Sequence, residues 1–350
     1  MYRDALFASL SQKGLNVRTK RIKEEGRAYY HVVSRVVDRR FVFDDDEKER
    51  FRKMMRAVEA FTGVDVLTYA NMDNHFHLLL HVPDPKTLSD AELIKRLSHL
   101  YSPVVVKNLA ASLAGLRQSG AVDQADAFVA RYMARMYDLS EFMKTLKQCV
   151  TQSYNARQRR KGTLWEERFK SLLVEGRGNA LLTVASYIDL NPVRAGLVDD
   201  PRHFRFCGYG EACGGSEGAR RGLMHIMAAA GECANWREAA SRYRQLLYVR
   251  GEAAGVGEDG HVTQPGFDAA NVQKVIDAGG ALPKAVLLRC RVRYFSDGAV
   301  MGSRAYVEDV FQRHRDQFGE KRKTGARPMR GGDWGDLMTA RRLRLTPIRA

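Results

Sequence analysis

The chain has 350 residues, 45% of them hydrophobic, and a formal net charge of +16. This much apolar material excludes a disordered chain and suffices for one main core with smaller additions. No apolar run approaches the roughly 20 residues of a membrane-spanning helix, and the N-terminal MYRDALFASLSQKGLNVRTK lacks the apolar segment of a secretory signal, so a cytoplasmic location with no membrane partner is expected. Five cysteines, an odd number without a C-x-x-C pair, indicate reduced thiols rather than a disulfide framework or zinc ribbon. The positive charge is clustered: residues 1–30 hold seven Lys/Arg against three Asp/Glu, 157–170 hold six against two, and 321–350 hold nine against two. Such clusters are the electrostatic footprint of a polyanion binder, since each neutralised phosphate releases condensed counterions, although a solvated basic face has the same composition.

In chain order, AYYHVVSRVV (28–37) is aromatic and β-branched and reads as a strand. Asp44 with Glu47 three residues on forms a capping-box pattern that opens an amphipathic helix through Phe51, Met54, Met55, Val58 and Phe61, ending near Gly63. Residues 64–70 and 75–82 are apolar runs joined by the polar turn Met72-Asp73-Asn74, the pattern of a β-hairpin. Ser89 with Glu92 opens a helical insertion over 84–138, and Asp138-Leu139-Ser140 starts a further helix to about Arg160. A strand is expected at 169–175 and a helix over 179–190, stopped by Pro192. The glycine-rich stretches 208–222 and 251–266 read as loops or linkers, helices are expected near 268–290 and 303–318, and residues 331–350 read as a basic tail. Gly302-Ser303 with Arg304 and Tyr306 suits either the turn of a helix-turn-helix-like DNA reader or a packing role. No internal repeat is present.

Chemistry centres on two short elements. In His75-Phe76-His77-Leu78-Leu79-Leu80-His81, strand alternation turns His75, His77 and Leu79 to one face and Phe76, Leu78 and Leu80 to the other. Two imidazoles about 7 Å apart along a strand can then converge on a cation or phosphate. In Tyr187-Ile188-Asp189-Leu190-Asn191-Pro192, helical spacing gives Tyr187 and Asn191 a common face. Taken singly, the histidines also suit a structural strand, and Tyr187 and Asn191 suit a packed ring and a helix-end cap.

Four strings give these elements a shared context: YYHVVSR (29–35), NMDNHFHLLLHVPD (71–84), GTLWEERFKSLLVE (162–175) and YIDLNPVRAGLVDDP (187–201). Together they resemble the REP-associated tyrosine transposases, members of the HUH single-tyrosine group in which His75-Phe76-His77 is the HUH match. The resemblance spans about 1–212 apart from the insertion. It implies an α+β, ferredoxin-like, largely antiparallel sheet of four or five strands with helices on one face, extended by the helical insertion and a mainly helical segment over 213–330. It further implies that Tyr187, before the Asn-Pro pair, is the nucleophile, with Tyr154 as the competing candidate. His75, His77 and Asn191 would hold Mg²⁺ or Mn²⁺, with His81 as a substitute ligand by strand parity. The partner would be a single-stranded DNA hairpin of repetitive-palindrome type, cut through a 5′-phosphotyrosine intermediate and rejoined by a monomer or homodimer.

Arg35, Arg39, Arg40, Arg157, Arg159, Arg160, Lys161, Arg168 and Lys170 are candidate DNA contacts, and Trp165 and Phe169 interleaved with them offer stacking faces unless they are core anchors. A catalytically inert DNA-binding regulator derived from such an enzyme is the rival reading. A relaxase or replication initiator would need larger accessory domains, and an RNA binder is compatible with charge alone.

Overall fold

A computed structural model describes residues 17–19, 21–231, 235–249, 254–256, 262–264, 293–329 and 334–347. Its first half follows the sequence pattern closely. Strand β1 (Ala28–Arg35) leads to helix α1 (Asp45–Thr62), where the Glu47 amide donates to Asp44 Oδ1 at 2.8 Å, and Gly63 closes the helix in the left-handed region at φ 71°. Strands β2 (Asp65–Asn71) and β3 (His75–Val82) form the hairpin, its turn held by Met72 N–H donating to the His75 carbonyl. The insertion contains α2 (Asp90–Leu97), with the full Ser89–Glu92 capping box, then α3 (Pro103–Gln118) and α4 (Val122–Met133). These helices enclose their own apolar cluster, in which Leu93, Leu97, Leu113, Ala125 and Tyr132 pack with Phe61 of α1. Helix α5 (Leu139–Arg157), strand β4 (Lys170–Val174) and helix α6 (Asn179–Asp189) follow.

Strands β2, β3, β1 and β4 lie side by side in that order, all antiparallel, which is the ferredoxin-like arrangement. The α+β class therefore holds, and the sheet is larger than the expected four or five strands. Beyond β4 it continues with β5 (Gly298–Gly302), parallel to β4, then β7 (Met338–Arg341) and finally the edge strand β6 (Arg327–Pro328), making seven among the described residues. The expected basic tail thus supplies a strand with buried Thr339 and Ala340, and residues 345–347 pair with 17–19. The run Ala299-Val300-Met301 is too short to announce a strand by periodicity, and its pairing with Leu173 and Val174 on one side and Thr339 and Ala340 on the other makes it one.

Helices cover both faces. On one, α1, α5 and α9 (Arg304–Arg313) pack onto Tyr30, Val32, Phe76, Leu78, Leu80 and Leu173. On the other, α6, α7 (Glu217–Ala230) and α8 (Trp236–Val249) cover Leu79, Leu172 and Val174. The glycine-rich stretch expected as a loop over 208–222 is instead a short helix (Gly208–Cys213) and the start of α7. Its glycines serve close packing rather than flexibility: a Cβ on Gly222 would lie 2.3 Å from the Leu67 carbonyl oxygen, and one on Gly208 would lie 2.1 Å from Thr68 Oγ1. Strands Ala254–Val256 and Val262–Gln264 pair within the other glycine-rich stretch, and the helix expected near 268–290 lies outside the described residues. Gly302-Ser303 is not a helix-turn-helix turn. Gly302 ends β5, Ser303 caps α9, and Val307, Val310 and Phe311 bury that helix in the core.

Because helix α7 touches β2 through a missing side chain, Gly222→Ala should force the two apart and cost about 1–3 kcal/mol, read as a lower urea midpoint. Gly115→Ala in α3, where nothing lies within 4 Å of the added carbon, should instead stabilise by roughly 0.5–1 kcal/mol.

Candidate active site

The register of β1 against β3 sets Arg35 opposite His75, Val33 opposite His77 and His31 opposite Leu79, so His31 shares the face that carries both histidines. His77 is 3% exposed, and its Nδ1 lies 3.0 Å from His31 Nε2 with the rings stacked at 5.2 Å. His75 stands 5.1 Å from His77, and its Nδ1–H donates to Asn74 Oδ1 at 2.7 Å. The Asn74 amide nitrogen in turn donates to the Arg39 carbonyl, tying the loop after β1 to the hairpin turn.

Burial dominates the electrostatics of this group. Desolvation, reinforced by Arg35, lowers His75 to about 4 despite Asp73, and desolvation lowers His31 to about 3. His77 is pushed well below the ordinary histidine range, first by burial, then by His75, His31, Arg194 and Arg35. All three rings are therefore neutral at pH 7 and able to offer lone pairs. The Phe295 backbone offsets part of the lowering at His31, whose Nδ1 makes no hydrogen bond of standard geometry. Of the His31–His77 pair, one ring donates and the other accepts.

Tyr187 reaches this cluster from α6. Its ring meets His77 at 5.7 Å and His31 at 5.8 Å, both edge-on, and is 5% exposed. The backbone just beyond it is pinned by Asp189, a buried carboxylate raised to about 6 by desolvation. Thr68 Oγ1–H, Tyr243 O–H and the Tyr209 N–H all donate to it. Tyr154 is separated from the histidines, because α5 packs it against the core on the opposite face of the sheet. Geometry thus distinguishes two tyrosines that sequence left in competition.

Asn191 departs from its expected place. The helix breaks at Leu190, and the Asn191 amide nitrogen donates to the Tyr187 carbonyl at 3.1 Å while its oxygen accepts from Arg194 at 2.8 Å. It acts as a helix-end cap, with the oxygen expected for a metal engaged by a cation. His81 is likewise diverted: its Nδ1 bonds Asp65 at 2.8 Å and its ring stacks on Tyr29 beside His225. Among the described residues no three His, Cys, Asp or Glu side chains converge to hold an ion. What the described residues offer a cation here is the imidazole pair of His75 and His77, 5.1 Å between ring centroids, without a third such ligand.

The candidate DNA contacts divide into two groups. Arg39, Arg40, Arg159, Lys161 and Arg168 are exposed, as is Phe41 at 80% beside Arg40. Lys170 is exposed within ion-pair range of Glu167 and Asp297, and Arg160 donates to the Thr163 carbonyl. Arg157 is committed inside the fold, bonded to Glu47 of α1 and to Ser153. Trp165 and Phe169 are core anchors: Trp165, 7% exposed, packs edge-on to Phe76, and its indole N–H donates to Thr151 Oγ1 at 2.9 Å. Strand parity explains this, since Phe76 faces away from His75 and His77 and Trp165 follows it.

Three residues near Tyr187 escaped the sequence reading. His31 was accessible through the parity of YYHVVSR, where it alternates with the core residues Tyr30 and Val32. Arg194, whose guanidinium lies 4.1 Å from the Tyr187 ring centroid and donates to its carbonyl, could be sought one turn beyond the Asn-Pro pair. Phe295 had no local signal, since its approach depends on long-range pairing of β5.

Residues 25–118, the segment carrying His31, His75 and His77, match the family model described as transposase IS200 like. No curated protein matches the chain. Among solved structures, the chain is similar to one titled "Structure of the REP associates tyrosine transposase bound to a REP hairpin", at 13% identity and a TM-score of 0.37, covering 58% of this chain and 89% of that one. Among the described residues, no helix is long and apolar enough to cross a membrane.

Trp165→Phe should remove the buried indole hydrogen bond and lower the unfolding free energy by about 1 kcal/mol. Affinity for a single-stranded hairpin should be unchanged, measured by fluorescence anisotropy. A loss of affinity without loss of stability would return Trp165 to the DNA surface.

Proposed function

We propose that the chain cuts and rejoins single-stranded DNA at hairpin-forming repeats, with Tyr187 as the nucleophile, a reading supported by the match of residues 25–118 to the transposase IS200 like model. The observation that carries this reading is the meeting of the Tyr187 ring with His77 and His31 on one face of the sheet. His75 and His77 would hold Mg²⁺ or Mn²⁺ through Nε2, with Asn74 and His31 fixing the two rings from behind. Such an ion, when bound, polarises a phosphate oxygen as a Lewis acid and offsets the charge that repels a nucleophile.

The chain's own groups do the rest. The phenol, with an ordinary pKa of about 10, gives up its proton to water as its oxygen bonds to phosphorus. Arg194 over the ring favours the resulting charge. The P–O3′ bond breaks, the 3′ oxygen takes up a proton from water in turn, and the 5′ phosphate remains on Tyr187. Since the phosphodiester is conserved as a phosphotyrosine, the 3′ hydroxyl of another strand can reverse the step without ATP. Arg35, Arg39 and Arg40, beside and behind His75, offer positive charge for the approaching backbone.

The near-complete burial of Tyr187 favours a second reading, a DNA-binding regulator without cleavage activity. One assay separates the two. Incubated with labelled single-stranded hairpin DNA and Mn²⁺, the chain should give a covalent adduct on denaturing electrophoresis. Tyr187→Phe should abolish the adduct with hairpin affinity within about threefold, while Tyr154→Phe retains it. Binding without an adduct in the unmodified chain supports the regulator.

The metal role has its own check. Excess EDTA should stop adduct formation, and Mn²⁺ binding by electron paramagnetic resonance should disappear in the double variant His75→Ala/His77→Ala. Cleavage persisting in EDTA would remove the cation from the account.

A further inference from the structure

The Tyr187 ring is held on both faces. Phe295 lies parallel to it, centroids 3.9 Å apart and planes within 7°, while the Arg194 guanidinium sits 4.1 Å from the same centroid. Two groups this close to one ring cannot share a side, so they sandwich it. His31 and His77 close two edges at steep angles. Phe295 belongs to a single helical turn, Arg293–Ser296, which runs directly into β5. That strand is paired with β4, itself paired with β1, so the turn is anchored to the sheet that carries the histidines. Trp334, 6.1 Å from Phe295 and 6.0 Å from Tyr294, backs the turn from the far side.

Rotation about the second torsion of a tyrosine leaves the hydroxyl on its axis, but a change in the first torsion, or a sideways shift of an unsupported ring, carries the hydroxyl across several ångströms. A displacement of about 1 Å at a reacting atom is enough to cost about 100-fold in rate. Arg194 restrains one face of the ring and leaves the other to Phe295. We infer that Phe295 is a positioning residue for Tyr187: its flat aromatic face fixes the phenol's orientation against His77 and His31. The C-terminal extension is on this view part of the catalytic unit. The inference rests on the reading of Tyr187 as nucleophile, and it extends the active unit far past residues 25–118, where the transposase family match ends.

Filling space and presenting a planar face are separable. Phe295→Leu keeps apolar bulk and loses the plane, whereas Phe295→Tyr keeps the plane. In the full chain, Phe295→Leu should slow single-turnover adduct formation by about 10- to 100-fold with hairpin affinity within about threefold, and Phe295→Tyr should recover most of the rate. A second measurement does not depend on cleavage. In protein labelled with 3-fluorotyrosine, the ¹⁹F resonance lost in Tyr187→Phe identifies residue 187. That resonance should shift and broaden in Phe295→Leu but stay close to its original position in Phe295→Tyr. An unchanged resonance in Phe295→Leu, or a Phe295→Tyr variant as slow as Phe295→Leu, overturns the inference. If the unmodified chain forms no adduct, the nucleophile reading fails, and the fluorine spectrum still decides whether Phe295 fixes the ring.

Discussion

The hydrogen bond between His31 and His77 is the constraint on which the site depends. Both rings are buried between the sheet and α6, where an unpartnered imidazole nitrogen would cost about 1–3 kcal/mol. One ring must therefore donate and the other accept. His75 donates through Nδ1 to its neighbour Asn74, which leaves Nε2 as that ring's lone pair. A partner one residue or one strand away holds each ring, so the histidine pair is organised by the fold itself.

Around this pair, the protein builds outward from one surface of the sheet. Helix α6 delivers Tyr187 because Asp189 anchors its end to Thr68 on β2 and Tyr243 on α8. Helix α7 reaches β2 closely because Gly208 and Gly222 leave no side chains in the way. The later strand β5 then places Phe295 against Tyr187. The opposite face carries an aromatic cluster, with Phe76, Trp165, Phe43 and Phe51 linked by ring contacts. Arg35 lies opposite His75 in the register of β1 and β3, and its charge acts on that ring against Asp73.

Much of this was legible in the sequence wherever the signal was local. The Asp44 and Ser89 caps, the Gly63 stop, the hairpin around Asp73 and the alternation of His75, Phe76 and His77 each follow from a few adjacent residues. What escaped was decided by distant contacts. Gly208 and Gly222 look like linker residues until a strand lies beneath them, and Ala299-Val300-Met301 looks like nothing until Leu173 and Val174 pair with it. Helical spacing gives Asn191 a face shared with Tyr187, and the family resemblance implies a ligand there, but the helix ends at Asp189 and the Asn191 amide turns to the Tyr187 carbonyl and Arg194. Trp165 reads as a DNA-stacking face by its basic neighbours, whereas its indole is used up inside the core.

The central claim is that Tyr187 forms a covalent bond to DNA. The direct measurement is mass spectrometry of the tryptic digest after reaction with a hairpin oligonucleotide and nuclease trimming. The account predicts a nucleotide-sized mass increase on the peptide spanning 178–194, with fragmentation assigning it to Tyr187. An adduct on the peptide containing Tyr154, or strand cleavage with no peptide modified, would contradict it.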